Sequence, residues 1–297
     1  MPGMKSVLMR MQMRFFIKPL IARWPLKRLR NTLETTTEWL KERAVGDQVQ
    51  YEPIEFENFQ AQMAQPVQVK HQGIILYLHG GGYAAGMIKY ATSFGGILSK
   101  RLGMRVLCIA YRLAPEDPFP AALEDALSAY RYLLQAGYAP KDITLIGESA
   151  GGGLVFSLVQ YLKQQGIDLP ARLVAISPWG DLTLSGSSYA KKRRQDPMLA
   201  YKVLAKYAQM YAGQEDVRNP LISPVFADLS GFPKTQIYVG SVEMLLDDAR
   251  QLKHNCDAAG VPCELTIEKG MWHVYVLFPF PEAQAALARI ESFIEEG

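Results

Sequence analysis

The sequence predicts an α/β protein with a mostly parallel, eight-stranded sheet flanked by helices. From residue 73 onwards, six short apolar segments alternate with amphipathic helical segments. Strands that are apolar on both faces are typical of parallel sheets buried between two layers of helices. Two further segments, at 48–58 and 59–70, alternate between polar and apolar residues. This period of two predicts a pair of antiparallel strands at one edge of the sheet.

The six apolar segments are "GIILYL" (73–78), "RVLCIAY" (105–111), "DITLIG" (142–147), "ARLVAIS" (171–177), "TQIYVG" (235–240) and "PCELTIE" (262–268). The helical period predicts helices near 92–102, 121–136, 150–165, 244–259 and 282–296.

Residues 179–233 interrupt this alternation after the sixth strand. A structureless connection of that length is unusual in a compact domain, and "KVLAKYAQMYAG" has a helical pattern of its own. We therefore expect an inserted helical segment at the edge of the sheet where open α/β sheets bind ligands. The predicted division is residues 1–47 as N-terminal cap helices and 48–297 as the catalytic domain, with 179–233 completing the cap.

The N-terminal stretch 4–30 mixes Met, Phe, Leu and Ile with Lys and Arg at helical spacing. It predicts a pair of amphipathic helices with breaks at Pro19 and Pro25. Its charges recur throughout, unlike those of a signal peptide, and no apolar run approaches the roughly 18 residues that span a bilayer. The stretch could lie on a membrane surface or over the protein's own apolar opening, and we favour the opening. Stable membrane insertion is not expected.

A serine nucleophile is predicted at Ser149 in "LIGESAGGG". The segment Gly147–Gly151 fits G-x-S-x-G, with a strand before it and a helix after it. Small residues on both sides of the serine permit the tight turn that exposes its hydroxyl. The helix N-terminus then places free N–H groups and a positive dipole beneath it.

The donors for a tetrahedral oxyanion are expected in the "HGGG" loop at 79–82. Successive glycines allow the backbone to approach a substrate closely and to direct N–H groups into a cavity. Gly81, Gly82 and Ala150 are the predicted donors. His79 at the end of the strand is expected to brace this loop.

The base is sought among four histidines, of which His273 follows the last strand and a glycine. The order Ser, acid, His along the chain is the one this motif requires, so His273 is assigned as general base and then acid. The triad acid should follow the strand at 235–240. Glu243 still lies in the loop, whereas Asp247 comes a helical turn later and is the alternative acid. Asp248 is expected to be a surface charge, and Glu148 to brace the glycine loop.

Several motifs in this order resemble the hormone-sensitive-lipase-like family of α/β-hydrolases, the bacterial carboxylesterases. They are "HGGG", "YRLAPEDPFPAALEDA" (111–126), "GESAGGGL", "SPWGDLTLSGSSY" (177–189) and "GMWHVY" (270–275). The resemblance runs from about residue 70 to the end and implies an α/β-hydrolase fold. The resemblance implies that Gly81, Gly82 and Ala150 form the oxyanion hole. Its D-P-L-x-D-E-like acid motif, laid on "EMLLDD", falls on Glu243, where glutamate departs from the commoner aspartate.

Composition limits the other possibilities. The net charge of +3 is too small to predict a nucleic-acid partner, and the block "KKRR" at 191–194 is interpreted as a solvated surface. The sequence has no metal-ligand spacing and no phosphate-binding loop, so no cofactor is expected. Three cysteines without CxxC spacing favour a cytoplasmic protein. Tyr83, Trp179, Tyr189 and Val274 are candidate pocket residues.

The prediction is therefore a serine carboxylesterase that hydrolyses short- to medium-chain esters of small molecules through an acyl-enzyme. A deacetylase of an acetylated sugar, peptide or small metabolite would use the same machinery. A non-catalytic small-molecule receptor on the same fold is a further alternative, which the retained serine, histidine and acid disfavour. A membrane-surface lipase would rest on the basic N-terminal helix alone. The last strand and helix leave a homodimer possible.

Overall fold

The computed structural model describes residues 3–21 and 23–296, and it contains the predicted eight-stranded sheet. The strand order is β1-β2-β4-β3-β5-β6-β7-β8. β1 pairs antiparallel with β2, β2 pairs antiparallel with β4, and the remaining neighbours are parallel. The strands are β1 Val49–Glu55, β2 Gln60–Pro66, β3 Ile74–Leu78, β4 Arg105–Ala110, β5 Ile143–Glu148, β6 Arg172–Ile176, β7 Lys234–Gly240 and β8 Cys263–Glu268. This confirms the predicted α/β-hydrolase fold.

Ten α-helices lie within the described ranges. They are α1 Met4–Gln12, α2 Lys18–Ile21, α3 Leu26–Ala44, α4 Ile88–Leu102, α5 Ala121–Gln135, α6 Ala150–Gln164, α7 Ser187–Lys191, α8 Tyr201–Ala212, α9 Leu246–Ala258 and α10 Pro281–Glu295. A π-helical turn, Met13–Ile17, joins α1 to α2, and short 3₁₀ turns follow at Gly46–Gln48, Pro140–Asp142, Pro224–Phe226 and Tyr275–Leu277.

The central strands separate two apolar layers because their side chains alternate between the faces of the sheet. In β3, Ile74, Leu76 and Leu78 face the layer that contains α5 and α6, whereas Ile75 and Tyr77 face the layer that contains α4 and α10. All five side chains are fully buried. The near-continuous apolar sequence of β3 is thus the consequence of helices on both faces.

The N-terminal helices differ from the prediction at one proline. Pro25 separates α2 from α3 as expected, but Pro19 does not break the helical path. Pro19 lies in the first turn of α2, directly after the π-helical turn, and a proline is tolerated in a first turn because its missing N–H is not required there.

Arg30 attaches α3 to the loops at the carboxyl edge of the sheet. Its guanidinium donates to the carbonyl oxygens of Ala84 at 2.8 Å and Ala114 at 2.9 Å, and it forms a two-pronged ion pair with Glu116. The inserted segment after β6 contributes α7 and α8 near the same edge. None of the described helices combines the length and hydropathy that crossing a membrane requires.

Candidate active site

Ser149 occupies a strained turn between β5 and α6. Its backbone has φ +56° and ψ −119°, a conformation that non-glycine residues rarely adopt, and strain of this kind is typical of functional turns. Hydrogen bonds hold the turn on both sides, from the Ser149 N–H to Ile176 and from the Trp179 N–H to the Ser149 carbonyl, each 2.8 Å long. The flanking glycines are required because a Cβ on Gly147 would run into the Gly151 carbonyl, and one on Gly151 into the Leu78 carbonyl.

The structure brings Ser149, His273 and Glu243 into one hydrogen-bonded chain. The Oγ of Ser149 lies 2.8 Å from Nε2 of His273, and Nδ1 of His273 lies 2.9 Å from Oε2 of Glu243. Glu243 is fully buried and His273 nearly so. Burial raises the pKa of the Glu243 carboxyl, and the hydrogen bonds from His273 and from the Gly240 N–H oppose that rise.

Ser177 supports Glu243 and the residue that follows His273, and the sequence did not predict this role. Its hydroxyl donates to Oε1 of Glu243 at 2.9 Å and accepts the N–H of Val274 at 2.9 Å. Ser177 and Val274 both have positive φ, at +48° and +52°. The signal available in the sequence was a serine directly after the sixth strand, at the carboxyl edge where the loops of the site converge.

The alternative acid, Asp247, does not reach His273. Its carboxylate instead accepts hydrogen bonds from the hydroxyl of Ser187 and the N–H of Ser188, and it pairs with Arg250. The expectation that Asp248 is a surface charge is wrong.

Asp248 is 1% exposed, and it accepts the N–H groups of Gly180 and Asp181 and the hydroxyl of Tyr189. All three donors reach Oδ2 of Asp248, and they anchor the start of the inserted segment to α9. Burial raises the pKa of this carboxyl well above its ordinary value.

Two of the predicted oxyanion donors, Gly81 and Gly82, line the same cavity as Ser149, and the third, Ala150, directly follows Ser149 in the chain. Among the described residues, no protein acceptor takes the N–H groups of Gly81, Gly82 or Ala150. Ala150 is the first residue of α6, where an N–H has no partner within the helix. Gly81 and Gly82 have φ of +116° and +65°, and a Cβ on Gly82 would lie 2.5 Å from the ring of Tyr207.

Glu148 and His79 brace the glycine loop from below. The Glu148 carboxyl accepts the Gly80 N–H and the hydroxyls of Tyr77 at 2.6 Å and Tyr90 at 3.1 Å. Burial raises the pKa of Glu148 to about 7, although these three hydrogen bonds favour the charged form.

His79 stacks on Tyr111 with ring centroids 4.2 Å apart and donates from Nδ1 to the Gly80 carbonyl. Burial lowers the pKa of His79 to about 4, so its ring is neutral at pH 7.

A cavity of about 270 Å³ opens beside Ser149 and His273. Its walls come from the N-terminal helices and from the inserted segment, the two stretches that the sequence assigned to a cap. The N-terminal residues on the wall are Met13, Lys18, Trp24, Leu26, Leu29 and Leu33, and the inserted ones are Pro197, Met198, Leu199, Ala200, Val203, Leu204, Lys206 and Tyr207.

Of the four candidate pocket residues, only Val274 lines this cavity. Tyr83, Trp179 and Tyr189 are fully buried in the hydrophobic core instead. Tyr83 stacks on Tyr211 with centroids 3.7 Å apart, so it fills the space between the glycine loop and α8. The aliphatic residues of α3 and of the segment 197–204 supply the wall because their helices, not the strand ends, cover the opening.

No group of three His, Cys, Asp or Glu side chains in residues 3–21 and 23–296 has the geometry of a metal site.

Comparison with known proteins shows the family to which the chain belongs. A family model described as the alpha/beta hydrolase fold matches residues 75–277, which is more than half of the chain. An acetyl-hydrolase of Streptomyces hygroscopicus is 40% identical over 222 residues, covering 74% of this chain and 74% of that protein. The chain belongs to the α/β-hydrolases, in their hormone-sensitive-lipase-like branch.

Solved structures of this hydrolase branch match almost the full length of the chain. A crystal structure of an esterase from the bacterial hormone-sensitive lipase family has a TM-score of 0.91 and 36% identity, covering 100% of this chain and 99% of that one. The esterase EstE5, soaked with p-nitrophenyl butyrate, has a TM-score of 0.91 and 36% identity and covers 99% of this hydrolase. An esterase of Acinetobacter venetianus is 36% identical over 224 residues, or 74% of each chain.

Proposed function

We propose that this protein is a serine carboxylesterase in which Ser149 is the nucleophile, His273 the general base and acid, and Glu243 the triad acid. The observation that carries this proposal is the chain of hydrogen bonds from Ser149 Oγ through the His273 ring to Glu243. A hydroxyl, a ring nitrogen and a carboxylate in this order form the machinery of acyl transfer. The relatives named as esterases and acetyl-hydrolases support the assignment.

The reaction follows from these positions. His273 Nε2 takes the proton of Ser149 as Oγ attacks the ester carbonyl, and the carbonyl oxygen becomes an oxyanion that the N–H groups of Gly81, Gly82 and Ala150 stabilise. Collapse breaks the bond to the alkoxide, which leaves as an alcohol with the proton from His273. Water then attacks the acyl carbon while His273 takes its proton. Collapse of this second intermediate breaks the bond between the acyl carbon and Ser149 Oγ, His273 returns the proton to Oγ, and the carboxylic acid is released.

Glu243 fixes the tautomer of His273. Because Nδ1 faces a carboxylate, that nitrogen carries the proton and Nε2 presents its lone pair to Ser149. The carboxylate also stabilises the imidazolium that forms during each step.

We propose short- to medium-chain monoesters as substrates. The cavity is small compared with the roughly 300–1,000 Å³ of common ligand sites. Its wall is mostly aliphatic and offers few polar partners to an acyl chain. In this view α1–α3 and the segment 179–233 act together as the cap that limits chain length. The name acetyl-hydrolase and the p-nitrophenyl butyrate soak of EstE5 fit this range.

The test is hydrolysis of p-nitrophenyl acetate, butyrate, octanoate and palmitate by the wild type and by Ser149→Ala and His273→Ala. We expect the highest kcat/KM at short chains and a loss of roughly three or more orders of magnitude in both variants. A Leu33→Ala variant enlarges the cavity and should shift the preference towards octanoate. Highest activity on palmitate would contradict the proposed chain-length range.

We also propose a cytoplasmic location. For the oligomeric state, the hypothesis is a homodimer formed through the edge strand β8. Three free cysteines, two of them buried, fit a reducing compartment. Within the described residues β8 pairs with β7 alone, so its outer edge is open to a second copy. Light scattering after gel filtration distinguishes a dimer from a monomer.

A further inference from the structure

The first helix and the π-helical turn that follows it present large apolar side chains to solvent. Met4, Leu8, Met11 and Phe15 are 88%, 58%, 50% and 59% exposed. At 3.6 residues per turn, the spacing of Met4, Leu8 and Met11 places them within an arc of about 60°, and Phe15 follows in the π-helical turn. We refer to these four residues as the N-terminal apolar stripe. A contiguous apolar surface of this kind marks an interaction site.

The opposite face of the same helix is already docked on the protein. Met13 is 6% exposed and lines the cavity, and Arg10 donates to the carbonyl of Gly270 at 3.1 Å. The backbone N–H of Gly3 donates to Glu282 at 2.8 Å. The helix is therefore attached at its start and along its inner face, so the stripe is exposed on a docked helix.

Positive charge surrounds the stripe. Residues 1–33 contain eight Lys and Arg residues and neither Asp nor Glu. Lys5 and Arg14 are exposed on opposite sides of the stripe, and neither pairs with a carboxylate in the described part of the chain. The guanidinium of Arg14 lies over the ring of Phe15 at 5.2 Å.

The fold brings a second basic block to the same end of the helix. The ammonium of Lys18 donates to the carbonyl oxygens of Arg193 at 3.1 Å and Asp196 at 2.8 Å. The block 191–194 therefore lies beside the π-helical turn, although it is remote in sequence. The carboxylate of Asp196 is buried and accepts backbone N–H groups, so it does not face outward to neutralise this block.

The positive charges of neighbouring residues affect the pKa of the Lys18 ammonium. Burial lowers the pKa of Lys18, and the charges of Arg14 and Arg193 act in the same direction, against Asp196.

We propose that the N-terminal apolar stripe and the basic residues around it dock on the surface of an anionic lipid bilayer. An amphipathic helix with Leu, Met and Phe on one face and Lys and Arg beside them lies in the headgroup region of such a surface. The apolar side chains enter the acyl boundary, and each Lys or Arg near the surface adds attraction to anionic headgroups. This docking is peripheral and requires no spanning helix.

A second copy of the chain fits this surface less well than lipid. A symmetric contact places the same patch on both partners, so it would bring two unneutralised basic surfaces together.

The docking concerns where the protein resides and does not depend on the chemistry of Ser149. With Met13 on the inner side of the helix, docking would hold the cavity near the lipid surface.

The test is co-flotation of the full chain with vesicles of phosphatidylcholine alone and of phosphatidylcholine with phosphatidylglycerol, at low and high salt. We expect binding to the anionic vesicles and release by salt. The variant Leu8→Gln/Phe15→Gln and the variant Lys5→Gln/Arg14→Gln should each weaken binding about tenfold or more. Val67→Gln removes an equally exposed side chain (60%) elsewhere and should bind like the wild type.

Both helix variants should keep the wild-type rate on p-nitrophenyl butyrate, because the four replaced side chains do not line the cavity. Absence of wild-type binding to anionic vesicles overturns the proposal. Unchanged binding of the variant Leu8→Gln/Phe15→Gln also overturns it. A wild type that forms a dimer and does not bind lipid overturns it as well, if the same variant dissociates that dimer. Loss of esterase activity in Ser149→Ala with normal flotation leaves the docking intact, so the two proposals fail separately.

Discussion

The hydroxyl of Ser177 lies 2.9 Å from Oε1 of Glu243 and donates to it. The hydroxyl oxygen of Ser177 in turn accepts the N–H of Val274. One buried side chain thus holds Glu243, the proposed triad acid, and the residue that follows His273. Burial raises the pKa of the Glu243 carboxyl, and the hydroxyl, ring N–H and backbone N–H that it accepts oppose that rise by favouring the charged form.

Replacement of Ser177 by alanine should lower kcat by about ten- to a hundredfold with little change in KM. The lost hydrogen bond to a carboxylate contributes about 1.5–3 kcal/mol, and it acts on the position of Glu243 and His273 and not on the bound ester. Steady-state kinetics with p-nitrophenyl butyrate measures the effect. Ser187→Ala is the matched control, since its hydroxyl donates to Asp247 outside the triad. A change confined to KM would show that Ser177 acts on substrate binding.

Replacement of Glu243 by glutamine should reduce kcat by about 10³–10⁴-fold. The amide cannot stabilise the imidazolium and favours the wrong tautomer of His273. Asp247→Asn is the control, because its carboxylate is held by Ser187 and Ser188 instead. If Asp247→Asn were the impaired variant, the assignment of Glu243 as triad acid would be wrong.

Replacement of Gly82 by alanine should lower kcat/KM by about 10²-fold or more. The added Cβ would lie 2.5 Å from the Tyr207 ring and would move an N–H that is proposed to bind the oxyanion. Gly166→Ala is a control with nearly the same backbone, φ +63° against +65°, and with no neighbour within 4 Å. It should lose about 1 kcal/mol of folding free energy and no activity. Equal activity of both variants would remove Gly82 from the oxyanion site.

Replacement of Glu148 by glutamine should change how the free energy of unfolding depends on pH. The folded carboxyl has a pKa of about 7, above its ordinary 4.5, so between these values the folded state holds a proton that the unfolded state has lost. The stability of the wild type therefore falls as pH rises through this window.

The fall from about pH 5 to about pH 8 should be smaller in Glu148→Gln by about 2–3 kcal/mol. His79 contributes the opposite slope, because its pKa of about 4 leaves the unfolded state with the extra proton below pH 6.5. The contribution of His79 to the pH dependence is the same in the wild type and in Glu148→Gln, so it cancels when the two are compared. Urea unfolding at the two pH values measures the difference, with the exposed Glu215→Gln as control. Parallel pH dependence of Glu148→Gln and wild type would contradict a buried, proton-binding Glu148.

The strands and the strained turn at Ser149 were predictable because their determinants are local. The apolar runs, the glycines beside Ser149 and the glycine after the eighth strand each constrain the backbone within a few residues. The position of Glu243 was also readable, since a loop directly after a strand reaches the carboxyl edge whereas Asp247 already belongs to α9.

The cavity wall and the buried polar network could not be read in this way. Trp179 and Tyr189 are aromatic residues of the kind that often line ligand pockets, but whether they are exposed depends on how the inserted helices pack. Asp248 was misassigned because its three donors come from Gly180, Asp181 and Tyr189, far away in sequence. Ser177 was missed for the same reason, since Glu243 lies on another loop.

The most direct test of the central claim is mass spectrometry of the protein after reaction with a p-nitrophenyl alkylphosphonate, which forms a stable bond to an activated serine. The proposed mechanism predicts one phosphonyl group per chain, found on the peptide that contains Ser149, with release of one equivalent of p-nitrophenolate and parallel loss of esterase activity. Ser149→Ala should remain unlabelled and inactive. A label on another residue, or full esterase activity in Ser149→Ala, would contradict Ser149 as the nucleophile.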